Sequence, residues 1–285
     1  MGQPLPNEMG QGRVVEYRRQ RLKSILRRLH IFGPAAAYVI PSALALSLAG
    51  IVWQVWVRVN EVPVYIVPAP SDVLSRLFGD LDFFAKESVV TLTEALAGFA
   101  LGSGVALVAA TLMAHSRFLE RSLLPLAILV KVTPIVAVAP LFVIWFGFGA
   151  MPKILIAALI TFFPTLVNGV TGFRSVNPGA MDFLRSLRAS RREIFFALRI
   201  PSSLPYLFAA FRVSIPLSVT GAVIAEWFSA DRGLGSVIVV AHNDLDMPTL
   251  FGAIFALAFI GIGLTILVGL MERKALFWHE SSVVV

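Results

Sequence analysis

The 285-residue sequence has no cysteine, only four histidines, and charge on only 14% of its residues. Without cysteine there can be no disulfide, thiolate-bound metal, iron–sulfur cluster or cysteine nucleophile. His30, His115, His242 and His279 are scattered without metal-ligand spacing. The chain also lacks a Gly-x-x-x-x-Gly-Lys-Ser/Thr phosphate loop, a His-Glu-x-x-His pair and a serine nucleophile elbow, so it carries no motif for ATP hydrolysis, zinc hydrolysis or serine hydrolysis. The scarcity of charge excludes more. A soluble domain carries about 25% charged residues, whereas here 57% are apolar and the mean hydropathy is +0.81. That much apolar surface does not fit one aqueous core, so the usual scaling of domain number with length does not apply.

What is present instead is long apolar runs. A bilayer core of about 30 Å needs about 20 mostly apolar residues per helix. Six stretches meet that length, at 35–57, 89–114, 123–148, 152–173, 207–228 and 250–271. They are too long for barrel strands, and in lipid each backbone amide must bond within its own segment. The expected fold is therefore an all-α, polytopic membrane helix bundle of about six spans. The first run follows basic residues but exceeds the apolar core of a secretory signal, and no small-residue cleavage site follows Trp53–Arg58, so it is expected to remain as a span.

The net charge of +7 and pI near 10.2 would suggest nucleic acid in a soluble protein. Here the charge marks topology, because basic residues collect on the cytoplasmic side. The segment before Ala35 carries Arg13, Arg18, Arg19, Arg21, Lys23, Arg27 and Arg28 against Glu8 and Glu16. Arg117 and Arg121 face Glu120 in the second connection. Arg174, Arg185, Arg188, Arg191, Arg192 and Arg199 face Asp182 and Glu193 between the fourth and fifth spans. The opposite connections are poor in basic residues, with Arg232 against Asp231, Asp244 and Asp246 in the last. Both termini are expected inside, with a basic cytoplasmic segment at 1–34, the membrane domain at 35–271 and a cytoplasmic tail at 272–285.

Two connections are long enough to have structure. On the outer side, residues 68–78 form a proline-led helix start, with Val73, Leu74 and Leu77 on one apolar face lying at the interface. With only Gly149, Ala150 and Met151 between the third and fourth spans, that connection is expected to be a tight outer hairpin. On the inner side, residues 174–206 interleave arginines with Phe183, Leu184, Leu187, Ile194, Phe195 and Leu198 at near-helical spacing. Asn177-Pro178 starts a helix, a break is expected near Ala189-Ser190, and Pro201 and Pro205 should interrupt the second piece. Such a segment suits either anionic lipid or a docking partner.

Ionisable residues in a span cost free energy and should face protein or a water-filled path. Glu94, Lys131, Arg212 and Glu226 are the candidates. Lys131 either lines a pathway or snorkels about one turn toward the cytoplasm. Arg212 lies close enough to the inner end to snorkel, and Glu226 either caps the outer mouth or bonds the loop around Gly233. Asn168, Thr133, Thr161, Thr165 and Thr171 are expected to bond across helices. Pro125, Pro134, Pro140, Pro164 and Pro216 bend their spans, and Gly98 with Gly102 permits close helix packing.

Counting back from Ile200-Pro201, residues 182–201 have the spacing of the motif Glu-Ala-Ala, three residues, Gly, nine residues, Ile-any-Leu-Pro. Asp182-Phe183-Leu184 falls at its head, Arg188 at the glycine and Leu198-Arg199-Ile200-Pro201 at its end. On these residues the chain resembles the permease subunits of binding-protein-dependent bacterial ABC importers. Val67-Pro68-Ala69-Pro70-Ser71, Thr91-Leu92, Gly98-Phe99, Pro134, Ala139-Pro140-Leu141, the 145–149 segment, Phe162-Phe163-Pro164, Ala225-Glu226 and Gly233-Leu234-Gly235 look like the branch importing nitrate, sulfonates, taurine, bicarbonate or thiamine-precursor pyrimidines.

The resemblance implies a type I importer permease fold in the inner membrane. It implies a coupling loop at Asp182, Phe183, Leu184, Leu187, Arg188, Ala189, Ser190, Phe195 and Pro201, and a path or gate at Lys131, Asn168, Arg212 and Glu226. The implied partners are an ABC ATPase subunit holding ATP and Mg, an extracytoplasmic solute-binding protein, and a second copy or paralogous permease. No cofactor is expected on this chain itself, no enzymatic activity and no nucleic acid. The implied cargo is a small anion or small organic solute. Arg188 at the glycine position leaves two conformations open, an ordinary helical one or a turn in which it contacts the partner itself. Two other readings are a scaffold or regulator derived from such a permease and, more distantly, an ion-driven transporter.

Overall fold

The computed structural model describes residues 34–229 and 231–277, with side chains from residue 40 onward. The expected basic segment, apart from Pro34, and the tail from residue 278 lie outside the described residues. Among the described residues, eleven α-helices and one π turn follow in order: α1 Pro34–Val59, α2 Pro70–Gly79, α3 Leu81–His115, α4 Arg117–Val132, α5 Ile135–Phe146, α6 Ala150–Arg174, α7 Pro178–Ser186, α8 Arg191–Ile194, the π turn Phe195–Arg199, α9 Ile200–Ser229, α10 Leu234–Asn243 and α11 Met247–Ala275. No strand occurs among the described residues. Helix α1 belongs to a separate unit, residues 1–61, and by itself offers a 20-residue apolar stretch at Ile40–Val59.

In the second unit, α3, α6, the run from Arg191 to Ser229 and α11 are each long and apolar enough to span. The third expected span differs. It is not one helix but α4 and α5, bent by 97° across Thr133-Pro134. Pro134 has no N–H to continue the ladder and holds Thr133 in an extended conformation, φ −68° and ψ 124°. The pair still carries the chain across once, because α3 and α6 on either side of it run parallel. Gly98 faces Ala157 and Ile154 of α6, Gly102 faces Ala158 and Thr161, and Gly169 of α6 faces Ala110.

That parallel contact is the centre of the bundle, and small residues make it possible. A Cβ on Gly98 would sit 2.8 Å from the Ile154 carbonyl, and one on Gly102 would sit 2.8 Å from Ala158 Cα. Antiparallel α9 comes equally close to α6: Gly221 lies against Ala157, and Gly172 against Ser203 and Tyr206. Ser103, Thr165 and Ser214 connect the three helices in a buried chain of hydroxyls, at 3.3 and 3.1 Å. Helices sharing an apolar solvent associate through such packing and polar contacts. Helix α11 closes the unit against α3 and α9 through Ala95, Ile215, Val219, Leu264 and Val268.

Several local expectations need correction. Pro201 and Pro205 do not interrupt a helix. Pro201 falls in the first turn of α9, and the preceding π turn carries α8 into α9, so residues 191–229 form one helical run. Leu74 of α2 is exposed, and only Val73 and Leu77 are buried. The hairpin expected on the outer side consists of Gly147, Phe148 and Gly149, because α6 already includes Ala150 and Met151; both glycines have positive φ, 77° and 116°. Thr133, Asn168 and Thr171 bond carbonyls of their own helices, and Thr165 alone of the five bonds other helices through its side chain.

Candidate functional site

Two polar constructions stand out, one at each end of the bundle. At the end where α3 and α6 begin, Lys153 is 1% exposed, and its ammonium meets Glu94 Oε1 at 3.1 Å, Asp231 Oδ1 at 2.7 Å and the Arg232 carbonyl at 3.0 Å. Its three N–H donors are thus all engaged. Beside this cluster, fully buried Glu226 of α9 accepts from Thr91 Oγ1 of α3 at 2.7 Å and from the Gly235 N–H. Thr91 Oγ1 in turn accepts from Leu234 N–H at 2.8 Å, and Glu87 accepts from Gly233 N–H at 2.6 Å and from Arg232 at 3.1 Å.

This packing accounts for the glycines of the 233–235 turn. A Cβ at Gly233, where φ is +108°, would coincide with the Glu226 carboxylate, and one at Gly235 would lie 2.7 Å from Glu226 Oε2. Sequence reasoning identified Glu94 and Glu226 but missed Lys153, Asp231 and Glu87. A usable signal was present, since Lys153 sits at the end of its span that the charge pattern expects to face outward, where the topology rule disfavours a cation. At Asp231, burial pushes the carboxyl upward, but hydrogen bonds from Lys153 and the Arg232 N–H outweigh it and hold the group below its ordinary value.

Between the two ends the other candidate charges are engaged as well. Arg212 Nε of α9 approaches Glu272 Oε2 of α11 to 2.6 Å, an ion pair without hydrogen-bond alignment. Lys131 is exposed, two residues before the break in its span, with its ammonium 4.7 Å from the centre of the Phe163 ring. Asn168 bonds the Pro164 carbonyl at 2.9 Å. An open groove of about 490 Å3 runs along α9 and α11, lined by Pro216, Val219, Thr220, Val223, Trp227 and Gly261 among others. Thr220 supplies its only side-chain hydroxyl, and no charged side chain lines it.

At the opposite end, the 174–206 loop folds as one short helix, α7, that meets the start of the continuous run from α8 into α9 at residues 187–190. Asn177 caps α7 by accepting from Gly179 N–H at 2.8 Å. The other end of α7 closes in a Schellman motif: Arg188 N–H bonds the Arg185 carbonyl at 2.9 Å, and Ala189 N–H bonds the Leu184 carbonyl at 3.0 Å. Arg188 occupies the left-handed position with φ +55°. The ordinary helical alternative is therefore excluded, and arginine adopts the conformation that suits glycine, at a cost of roughly 1–2 kcal/mol. Immediately afterwards Ser190 opens α8 with a capping box, its N–H bonding Glu193 at 2.6 Å while its hydroxyl accepts from Glu193 N–H at 3.2 Å.

The loop residues divide by direction. Asp182, Phe183, Leu187, Arg188 and Ser190 are exposed, whereas Leu184, Ala189, Phe195 and Pro201 are half-buried. The Phe195 ring faces inward, with centroids 5.6 Å from His115 of α3 and 5.8 Å from Phe173 of α6. It ties the loop to the spans. Arg174 does the same for the loop's base, meeting Glu120 at 2.7 Å and the Met113 carbonyl at 2.9 Å.

A helical membrane bundle with paired internal charges and an exposed, doubly capped loop between two of its innermost spans has the architecture of a transport permease. Residues 102–276 match the family of binding-protein-dependent transport system inner membrane components, and the chain belongs to that family. It is a permease of the ABC importer type and a multi-pass inner-membrane protein. It is similar to the riboflavin transport system permease protein RibX of Chloroflexus aurantiacus, 36% identical over 244 residues that cover 85% of this chain and 90% of the relative. It is also similar to the formylaminopyrimidine transport permease protein ThiX of Halalkalibacterium halodurans, 31% identical over 81% of this chain and 93% of that one. A third relative is the putative aliphatic sulfonates transport permease protein SsuC of Bacillus subtilis, 30% identical over 81% and 84%.

Proposed function

We propose that two copies of this chain, or one with a paralogue, form the path for a small organic solute, with both termini cytoplasmic and residues 178–199 docking on a separate ABC ATPase subunit. ATP and Mg belong to that partner. The observation that carries this reading is the exposed loop itself, capped on both sides of its break and anchored through Phe195 to α3 and α6. Phe195, packed on His115 of α3 and Phe173 of α6, is the point through which motion of the loop would reach two spans. Retention of the left-handed turn at Arg188 supports a working coupling loop over a scaffold that has lost the function.

The uncharged groove on α9 favours a flat organic body over a small inorganic anion as cargo. Riboflavin and formylaminopyrimidine, the cargoes named for two relatives, are of that kind. In this reading the groove lines the path, and Lys131, against the Phe163 ring, and Asn168, on the Pro164 carbonyl, are further path candidates outside the groove's lining. Glu226 and Arg212 act as gates by tying α9 to its neighbours at the outer and inner ends. A loaded binding protein sits over the outer carboxylates Asp231, Asp244 and Asp246.

Reconstitution tests the whole. Proteoliposomes holding the permease and its ATPase should take up riboflavin or an aminopyrimidine from the binding protein only with ATP inside the ATPase-facing compartment. Uptake that ignores ATP and follows an imposed ion gradient overturns the reading. Bulky charged residues at Ala189 and Ser190 should abolish co-purification with the ATPase.

A further inference from the structure

The inner loop exposes an apolar pair in a segment that also exposes four arginines. Phe183 and Leu187 are each 63% exposed, and Arg185, Arg188, Arg191 and Arg192 are exposed as well. The loop's own carboxylates are already engaged. Asp182 lies 3.7 Å from Arg185, and Glu193 closes the capping box on Ser190. Among the described residues no carboxylate lies within ion-pair distance of Arg188, Arg191 or Arg192, and Arg192 rests instead 5.9 Å from the Phe196 ring.

Arg188 stands at the apex of this patch, in a turn where glycine would make the same two hydrogen bonds without strain. Strain alone assigns no role, because Leu245 closes α10 in the same way at φ +57°. The difference is the side chain. At Arg188 the turn holds the backbone of a long, planar cation next to exposed Leu187, with no carboxylate within ion-pair distance. An arginine fork suits a carboxylate bidentately. Attraction to anionic headgroups depends on the number of charges near the surface and needs no fixed turn. Here residues 187–190 are held by a Schellman motif and a capping box back to back, which favours one discrete partner.

We propose that Arg188 is a partner-reading residue: it pairs with a carboxylate on the rim of the ATPase groove that receives Phe183 and Leu187. The permease thereby selects an ATPase with an acidic rim at that point. This rests on the docking role proposed for the loop and adds the charge its partner must carry.

The experiment uses the full chain in nanodiscs of zwitterionic lipid, titrated with the purified ABC ATPase subunit of the same importer. Arg188→Gly relieves the left-handed strain, so its melting temperature should rise by a few degrees while its affinity for the ATPase falls about ten-fold. Arg188→Lys should keep most of the affinity, and the wild-type affinity should fall more steeply with salt than that of Arg188→Gly. Arg188→Glu should bind worst and recover when the facing rim carboxylate is changed to lysine. Equal affinity of Arg188→Gly and wild type overturns the proposal and leaves the docking role standing. A difference confined to discs of anionic lipid assigns the arginine to headgroups and also overturns it. A lower melting temperature in both Arg188→Gly and Arg188→Lys marks a structural defect, with the same consequence. Failure of the wild type to bind the ATPase at all removes both proposals.

Discussion

Lys153 on α6 and Glu94 on α3 form an ion pair of 3.1 Å with side chains only 1% and 6% exposed, and the second ammonium contact, Asp231 at 2.7 Å, comes from the turn after α9. One buried cation therefore joins three segments that are remote in sequence. Glu94 Oε2 has no hydrogen-bond partner, so Lys153 is its compensation for burial.

Removing one partner of such a pair is costly, because the other charge stays buried. Lys153→Met should destabilise the fold by about 3–5 kcal/mol. The double variant Lys153→Met with Glu94→Gln should recover much of that loss. Thermal melting of the detergent-purified protein checks both, and equal melting of the single and double variants contradicts the pairing.

Glycines at the α3–α6 contact give a paired control. Gly102→Leu drives a side chain into the Ala158 backbone and Thr161, and overpacking of this sort costs about 1–3 kcal/mol. Gly104, two residues further along, has nothing within 4 Å of its Cβ position, so Gly104→Leu should be tolerated. Monodisperse yield on size-exclusion chromatography separates the two.

Span existence was legible in the sequence because length and apolarity are one-dimensional properties; α3, α6, α9 and α11 contain the apolar runs expected of them. Helix facing was not. In a soluble helix the apolar stripe marks the buried side, but lipid is as apolar as the protein interior, so no periodicity marks which face of α6 meets α3. Only the small residues Gly98 and Gly102 marked a contact. The pairing of Lys153 with Glu94 spans 59 positions and leaves no local trace. Pro134 was visible, but prolines are common in membrane helices, and whether one kinks or breaks a span is decided by tertiary contacts. At Arg188 the motif's spacing located the turn, while the residue type concealed its left-handed conformation.

Asp231 should make stability depend on pH in one direction. Burial raises its carboxyl, but the bonds from Lys153 and the Arg232 N–H prevail, so the group titrates below its ordinary 3.8 in the folded state. A depressed folded value contributes stability that is complete above the unfolded value and is lost as pH falls through the folded one. The side chain is more than a third exposed, so the effect is small. Melting temperatures taken from pH 7 down to pH 3 should show a shallower acid decline in Asp231→Asn than in wild type; parallel declines contradict the assignment.

The groove on α9 makes the sharpest demand on the transport reading. Gly261 of α11 lines it and has nothing within 4 Å of its Cβ position, so a large side chain there enters open space without displacing the fold. Gly261→Trp should therefore leave folding and ATPase binding intact while blocking ATP-driven uptake. Gly263 on the same helix is equally open but does not line the groove, and Gly263→Trp should transport normally. Glycine-to-tryptophan changes lose some backbone freedom and gain helix propensity alike at both positions. Any difference between the variants in a reconstituted uptake assay then reports occupancy of the groove. If Gly261→Trp transports as well as Gly263→Trp, the cargo passes elsewhere, and the face of α9 that carries Thr220 and Trp227 serves packing rather than passage.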